Sequence, residues 1–304
     1  MRKFLIRIFV FACLLFAVDA LAGLVFPKLV ADAKGGDNRR NNYICEKADE
    51  DILVYGSSRA IHHYNPLIIE DSLGMTCYNC GQDGNGIILN YGRFEMISRH
   101  HEPKVVIYDV LPGFDLTAGD DNHKYLGWLK AYYDRDSIPQ IFASVDRTEK
   151  YKMMSNLYRY NSRFVQIVSD CVRPLQSSGI NGYRPLEGEM DRMKISKKKA
   201  AEQEVRFDSL KLYYWRKLIS HRGNCRLIIV ISPTWDGMRQ DEYLPLKKMC
   251  EENGIPFINF SNNPKYLRNY AYFKDGAHLN SRGADEFTRD LMHELKKNKI
   301  LQAE

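Results

Sequence analysis

The sequence predicts an α/β protein, a three-layer α/β/α sandwich around a mainly parallel five-stranded sheet. Three observations predict it. Short apolar runs bounded by turn residues recur at Ile52–Tyr55, Met75–Tyr78, Lys104–Val110, Arg226–Ser232 and Ile255–Phe260, the pattern of strands buried on both faces. Segments of helical periodicity alternate with them. The strand–helix–strand intervals are short, which favours parallel pairing with helices on both sides of the sheet.

Taken in order, the chain opens on an apolar stretch from about Phe4 to Phe26, preceded and entered by Arg2, Lys3 and Arg7 and interrupted by Asp19. Two readings fit. One is a secretory signal cut at the small-residue pattern Ala20-Leu21-Ala22. The other, which we favour, is an uncleaved anchor over residues 1–27, long enough to cross a bilayer core of ~30 Å. In both, the basic start stays in the cytoplasm and the rest is exported. Residues 28–46 are polar and read as a linker. The remainder, 47–304, is one α/β domain.

The first run empties into Gly56-Ser57-Ser58-Arg59, where glycine tolerates the sharp turn. Asn65-Pro66 reads as a helix cap followed by proline at the first helical position, and that helix ends near Leu73. The second run leads into Asn79-Cys80-Gly81-Gln82-Asp83-Gly84-Asn85-Gly86. A helix follows, with Ile87, Tyr91, Phe94 and Ile97 near helical spacing. From about 112 to 217 an aromatic-rich, mostly helical insertion is expected to cover the sheet's carboxyl edge as a lid or docking region. Ordinary packing accounts equally well for any one of its aromatics, such as Tyr125, Trp128, Tyr132 and Tyr160. Asp241–Asn253 reads as an amphipathic helix, and the last helix spans about Arg282–Lys299.

Composition narrows the function. The 304 residues are 44% hydrophobic with a net charge of +6, which excludes collagen-like and disordered classes. Basic clusters such as Lys197–Lys199 and Lys296–Lys297 lack the aromatic interleaving of a nucleic-acid module, so no nucleic acid is expected. No cofactor or metal is expected either: His123 beside Asp120-Asp121 reads as a polar loop. Six cysteines beyond Cys13 allow fifteen disulfide pairings. Cys77-x-x-Cys80 has redox or zinc spacing but no second pair, and it stands at a strand end.

Two stretches carry chemistry. A serine after the Gly56 turn stands where open α/β sheets place ligands. Asp275, three residues before His278, can hold an imidazole whose other nitrogen faces a hydroxyl, and serine needs such a base.

Together these residues resemble the SGNH (GDSL-type) hydrolase superfamily. Gly56-Ser57-Ser58 is similar to its first block, with Ser57 in place of the usual Asp. Gly81 matches the second block, and Asp275-x-x-His278 with Leu279, Asn280 and Gly283 matches the last. The likeness covers about 50–110 and 224–298. It implies a flavodoxin-like fold with Ser58 as nucleophile, His278 as base and Asp275 as its orienting acid. It also implies an oxyanion hole from the N–H groups of Ser58 and Gly81. The family's third-block Asn is missing; the strand ends at Asp109, and Asn85 is the candidate substitute. Arg59 and Asp109 are candidate substrate contacts; Arg59 could equally pair with Asp109 or Asp83, and Asp109 either does structural work or binds a sugar hydroxyl.

The anchored Gly-Ser-Ser form is similar to membrane-tethered members of the superfamily acting on cell-envelope polymers. The resemblance therefore implies a serine esterase or O-acyltransferase working on acyl esters of an envelope glycan through acyl-Ser58. A membrane-embedded acyltransferase is the implied partner. The alternative is a non-catalytic glycan- or partner-binding protein with a degenerate site.

Overall fold

The sheet is built from β1 (Ile52–Gly56), β2 (Cys77–Asn79), β3 (Val105–Asp109), β4 (Arg226–Ile231) and β5 (Phe257–Asn259). In the computed structural model all neighbouring strands are parallel, in the order β2-β1-β3-β4-β5. Every residue of β1, β2 and β3 is buried, as unbroken apolar runs in a doubly covered sheet require. The chain runs from β1 outward to β2, then crosses back to β3. The residues after β1 therefore lie at a topological switch point, where such sheets bind ligands. The register pairs Gly56 with Asp109.

The structure describes residues 1–135, 137–174, 177, 179–191 and 204–302; the cluster Lys197–Lys199 lies outside them. The helices are α1 (Arg2–Ala31), α2 (Gly36–Glu46), α3 (Ser58–His63), α4 (Pro66–Leu73), α5 (Ile87–Ile97), α6 (Pro112–Asp115), α7 (Ile138–Val145), α8 (Glu149–Lys152), α9 (Asn156–Tyr160), α10 (Phe164–Val172), α11 (Ser209–His221), α12 (Leu244–Glu252) and α13 (Ser281–Lys297).

Two compact units emerge. One comprises Ile44–Tyr125 and Ser178–Glu304 and holds the sheet. Its ends follow the sequence rules. Asn65 caps α4 by accepting the Leu67 N–H, and Gly74 closes it in the left-handed region. Asn280 caps α13 through the Gly283 N–H at 2.8 Å. One face of α13 buries Ala284, Phe287, Leu291 and Leu295, and each large side chain contributes about 1.5–3 kcal/mol. The helix expected at Asp241–Asn253 starts later, at Leu244, because Pro245 suits a first turn.

The other unit comprises Met1–Tyr43 and Leu126–Ser177. Here the structure departs from expectation. The stretch read as a linker contains α2, whose polar side chains are buried against partners. Asn38 donates from N and Nδ2 to Asp170 Oδ2, and Asn41 Nδ2 to the Trp128 carbonyl. Polarity here signals pairing instead of exposure. The middle of the insertion packs with α1 and α2, and Trp128, Tyr132 and Tyr160 are buried.

Candidate active site

The site begins with the turn out of β1. Gly56 has φ +144°, and a Cβ there would meet Asp109 O at 2.6 Å and Ala60 Cβ at 2.8 Å. Only glycine fits both the angle and the space. Ser57 follows as the N-cap of α3, buried, its Oγ accepting the Arg59 N–H at 3.4 Å. Ser58 is the first helical residue and is partly exposed. Its N–H has no intrahelical acceptor, as at any helix start.

His278 Nε2 lies 2.8 Å from Ser58 Oγ. Its Nδ1 lies 3.0 Å from both Asp275 oxygens. A carboxylate only accepts, so Nδ1 carries the proton and Nε2 is free to accept from the serine hydroxyl. Asp275 Oδ1 also accepts the N–H groups of Ala277 and His278 at 2.8 and 2.9 Å. Partial burial disfavours the Asp275 carboxylate, but bonds from His278 and Ala277 outweigh it and hold the group below its ordinary value. A bridge between Phe273 and Leu279 closes the loop. The structure thus brings together Ser58, His278 and Asp275, and it is Ser58, not Ser57, that meets the imidazole.

The other expected residues fare differently. Gly81 packs tightly on α3, where a Cβ would lie 2.5 Å from Ile61 N. Its N–H, however, donates to Asn79 Oδ1 at 3.0 Å, so the donor expected for the oxyanion is already engaged. Asn85 Nδ2 donates to the Asp83 carbonyl at 2.8 Å and closes its own turn. The Ser58 N–H is the expected donor that remains. A lost oxyanion donor costs ~10²–10³ in rate.

Of the roles open to Arg59 and Asp109, substrate contact or internal pair, the structure shows the pair: the two are buried against each other. Arg59 Nε lies 3.4 Å from Asp109 Oδ2, and its guanidinium also reaches the Val110 carbonyl. Asp109 Oδ1 accepts from Tyr64 Oη and Ser232 N, both at 2.8 Å. Burial pushes the Asp109 carboxyl up, and Arg59 opposes that shift. The pair holds β3 and β4 to α3 and is buried from solvent.

Sequence reasoning missed several residues that hold the site. His63 is fully buried. Its Nε2 accepts the Leu279 N–H at 2.9 Å, which places a proton on Nδ1, 2.9 Å from Ser232 Oγ. Burial first, then the Arg59 charge, holds this imidazole well below its usual range. A neutral ring therefore ties α3, which carries Ser58, to the residue after His278. Asn79 Nδ2 donates to the carbonyls of Ala60 and Tyr64. Buried Arg93 pins the glycine turn through the Cys80 carbonyl and Gln82 Oε1. The sequence signal was present: polar residues interleaved with apolar ones around both turns.

His62 adds a second imidazole, its ring centroid 5.5 Å from that of His278. Nδ1 lies 2.6 Å from the Arg184 carbonyl, and Nε2 lies 3.2 Å from Asp83 Oδ1. Among the described residues of the insertion, the loop around Arg184 to Glu187 reaches this region, since Ser281 N donates to Leu186 O.

All seven cysteines are free, so none of the fifteen pairings forms. Burial holds the Cys77 thiol well above its ordinary value, which removes the thiolate that redox or metal chemistry needs.

A parallel α/β sheet presenting serine, histidine and aspartate in one hydrogen-bonded series is the arrangement used for acyl transfer through serine. No family model matches the chain, and no curated protein gives a significant match. Two solved structures are similar in outline. One is a "putative platelet activating factor" from Streptococcus pneumonia, at 10% identity and TM-score 0.43, covering 93% of this chain and 99% of that one. The other is a "putative lipolytic protein of G-D-S-L family" from Desulfitobacterium hafniense DCB-2, at 10% identity and TM-score 0.37, covering 80% and 98%. Likeness of this degree leaves the chemistry to be read from this chain's own side chains.

Proposed function

We propose that this protein is an SGNH-type serine esterase or O-acyltransferase, membrane-anchored and exported, acting on acyl esters of a cell-envelope glycan. The observation that carries the reading is the 2.8 Å contact between Ser58 Oγ and His278 Nε2, backed by Asp275. In this mechanism Ser58 Oγ attacks the acyl carbonyl and its proton passes to His278 Nε2. The oxyanion forms at the Ser58 N–H. Collapse breaks the ester C–O bond, and His278 returns the proton to the leaving alcohol. Water or a sugar hydroxyl then gives its proton to His278 and attacks acyl-Ser58; the acyl–Oγ bond breaks, and His278 returns the proton to Ser58 Oγ, which frees the serine. Asp275 stabilises the imidazolium at both stages. The acyl donor would come from a membrane-embedded acyltransferase if the reaction is transfer.

The anchor reading draws support from Asp19. Its carboxylate accepts from Ser155 Oγ, Asn156 N and Nδ2, and Leu157 N at 2.6 to 3.1 Å. Cutting after Ala22 would strip that carboxylate from the start of α9.

A second reading, a non-catalytic glycan- or partner-binding protein, is favoured by the engaged Gly81 N–H and the missing third-block Asn. A fluorophosphonate probe and p-nitrophenyl acetate separate the two. The enzyme reading expects labelling and hydrolysis by the full chain, both lost in Ser58→Ala. An unlabelled parent protein, or equal labelling of Ser58→Ala, would refute the enzyme reading.

A further inference from the structure

Helix α10 carries one broad apolar arc, with Gln166, Ser169 and Asp170 on the opposite side. One edge of the arc buries Ile167 and Cys171 beside Val30 and Tyr160. The rest of it exposes Phe164, Val165, Val168 and Val172, with Val165 at 71% and Val172 at 77%. At about 100° per residue these four fall within roughly one quarter to one third of the circumference. An amphipathic helix whose apolar arc is wider than its own packing covers suits the plane of a membrane interface. Met154, just before the residues that grip Asp19, is also exposed, at 79%.

This face continues the surface of α1. The Phe164 ring stands edge-on to Phe26, with centroids 5.6 Å apart, and Cys171 Sγ donates to the Leu29 carbonyl at 2.8 Å. Helix α1 has 30 residues, whereas about 20 span the hydrocarbon core. Its exposed large apolar side chains run from Phe4 to Val25. Phe26 to Ala31, where α10 docks, is thus the part that leaves the hydrocarbon. Charge agrees. Lys34 N donates to the Asp170 carbonyl, and Arg39 Nη1 to the Lys34 carbonyl, which places these two cations near the end of α10, where Arg173 is exposed. The acid within α10, Asp170, is buried under Asn38; Asp32 is the exposed acid nearby in sequence. Such a rim suits anionic headgroups.

We propose that α10, with Met154, lies in the bilayer surface beside α1, its Phe164/Val165/Val168/Val172 stripe among the acyl chains and its basic end among anionic headgroups. This rests on α1 being a retained anchor. The full-length protein is reconstituted in nanodiscs of phosphatidylcholine and phosphatidylglycerol, with plain or brominated acyl chains. Tryptophan is introduced by Val168→Trp or Val172→Trp on α10, by Phe16→Trp on α1, and by Ala143→Trp as an exposed reference on α7. The parent protein's emission is subtracted. Brominated lipid should quench the α10 and α1 positions by about half or more, as expected for side chains 5–10 Å into the interface, and leave Ala143→Trp unchanged. Quenching at Phe16→Trp alone overturns the proposal and keeps the anchor. Quenching at neither overturns both. A blue-shifted but unquenched α10 tryptophan means that a second copy or another protein covers the stripe, and also overturns it.

Discussion

His63 provides the sharpest test of how the site is held. Its two nitrogens do different jobs: Nε2 accepts from Leu279 N, and Nδ1 donates to Ser232 Oγ. Glutamine places a carbonyl oxygen near the Nε2 position, and asparagine places an amide N–H near Nδ1. His63→Gln therefore keeps the tie to the His278 loop and removes one bond from Ser232 Oγ, whose hydroxyl still reaches Asp109. His63→Asn keeps the bond to Ser232 and leaves the Leu279 N–H without its acceptor. A buried unpaired donor costs about 1–3 kcal/mol, so His63→Asn should lose that much in urea unfolding and His63→Gln less. Their activities should separate. Freed of its bond to α3, the His278 loop can drift, and a misplacement of ~1 Å costs about 10²-fold. Turnover of p-nitrophenyl acetate should fall by about that factor in His63→Asn and by less than about tenfold in His63→Gln, with KM unchanged in both. Stability against pH gives a second readout. The folded state keeps His63 neutral, below its ordinary 6.5, while the unfolded chain takes up a proton there. Its contribution is complete above the unfolded value and is lost as pH falls through and below it, by about 1.4 kcal/mol per pH unit. His63→Gln removes that share of the acid sensitivity. Equal activity losses in two folded variants, or a better asparagine than glutamine, would refute the positioning role.

Three further outcomes follow from the same geometry. Ser57→Ala removes a cap and should cost about 0.5–2 kcal/mol while leaving fluorophosphonate labelling in place; loss of labelling would mean the wrong serine has been assigned. Asp109→Ala leaves Arg59 charged and buried, so urea unfolding should report a loss of about 3–5 kcal/mol, and a change no larger than at an exposed site would contradict the buried pair. Burial raises Asp115 from 3.8 to about 7; folding then binds its proton more tightly, so stability is highest below the unfolded value and falls as pH rises towards 7. The roughly three-unit shift corresponds to about 4 kcal/mol, which should appear as a pH-dependent gap between the parent and Asp115→Asn, and a constant gap would refute the shift.

The sheet was legible because strands buried on both faces read as unbroken apolar runs, and β1, β3 and β4 fall where those runs stand. Ser58, His278 and Asp275 were legible because each sits at a turn with a chemically suggestive neighbour. What failed shares one cause: polarity was read as exposure. Arg59 and Asp109 were open to two roles, ligand contact or internal pair, and it is the buried pair that forms. The Asn-rich start of α2 looked like a linker, yet its side chains bind Asp170 and Trp128. A single sequence records that a residue is polar but not where its partner lies, and these partners are tens to more than a hundred positions away. The Gly81 N–H failed for a different reason, since its acceptor is a side chain only two residues back.

The serine and the histidine that touch at the site are separated by 220 positions. During synthesis β1 and α3 emerge early, but the loop that supplies the base comes only after β5, immediately ahead of α13. Until that loop docks on His63, Ser58 is an ordinary hydroxyl at a helix start. The order of the chain thus bears on timing: a growing or prematurely terminated product carries Ser58 but lacks His278, and on the proposed reading reactivity would arrive only when the last layer of helix closes on the sheet.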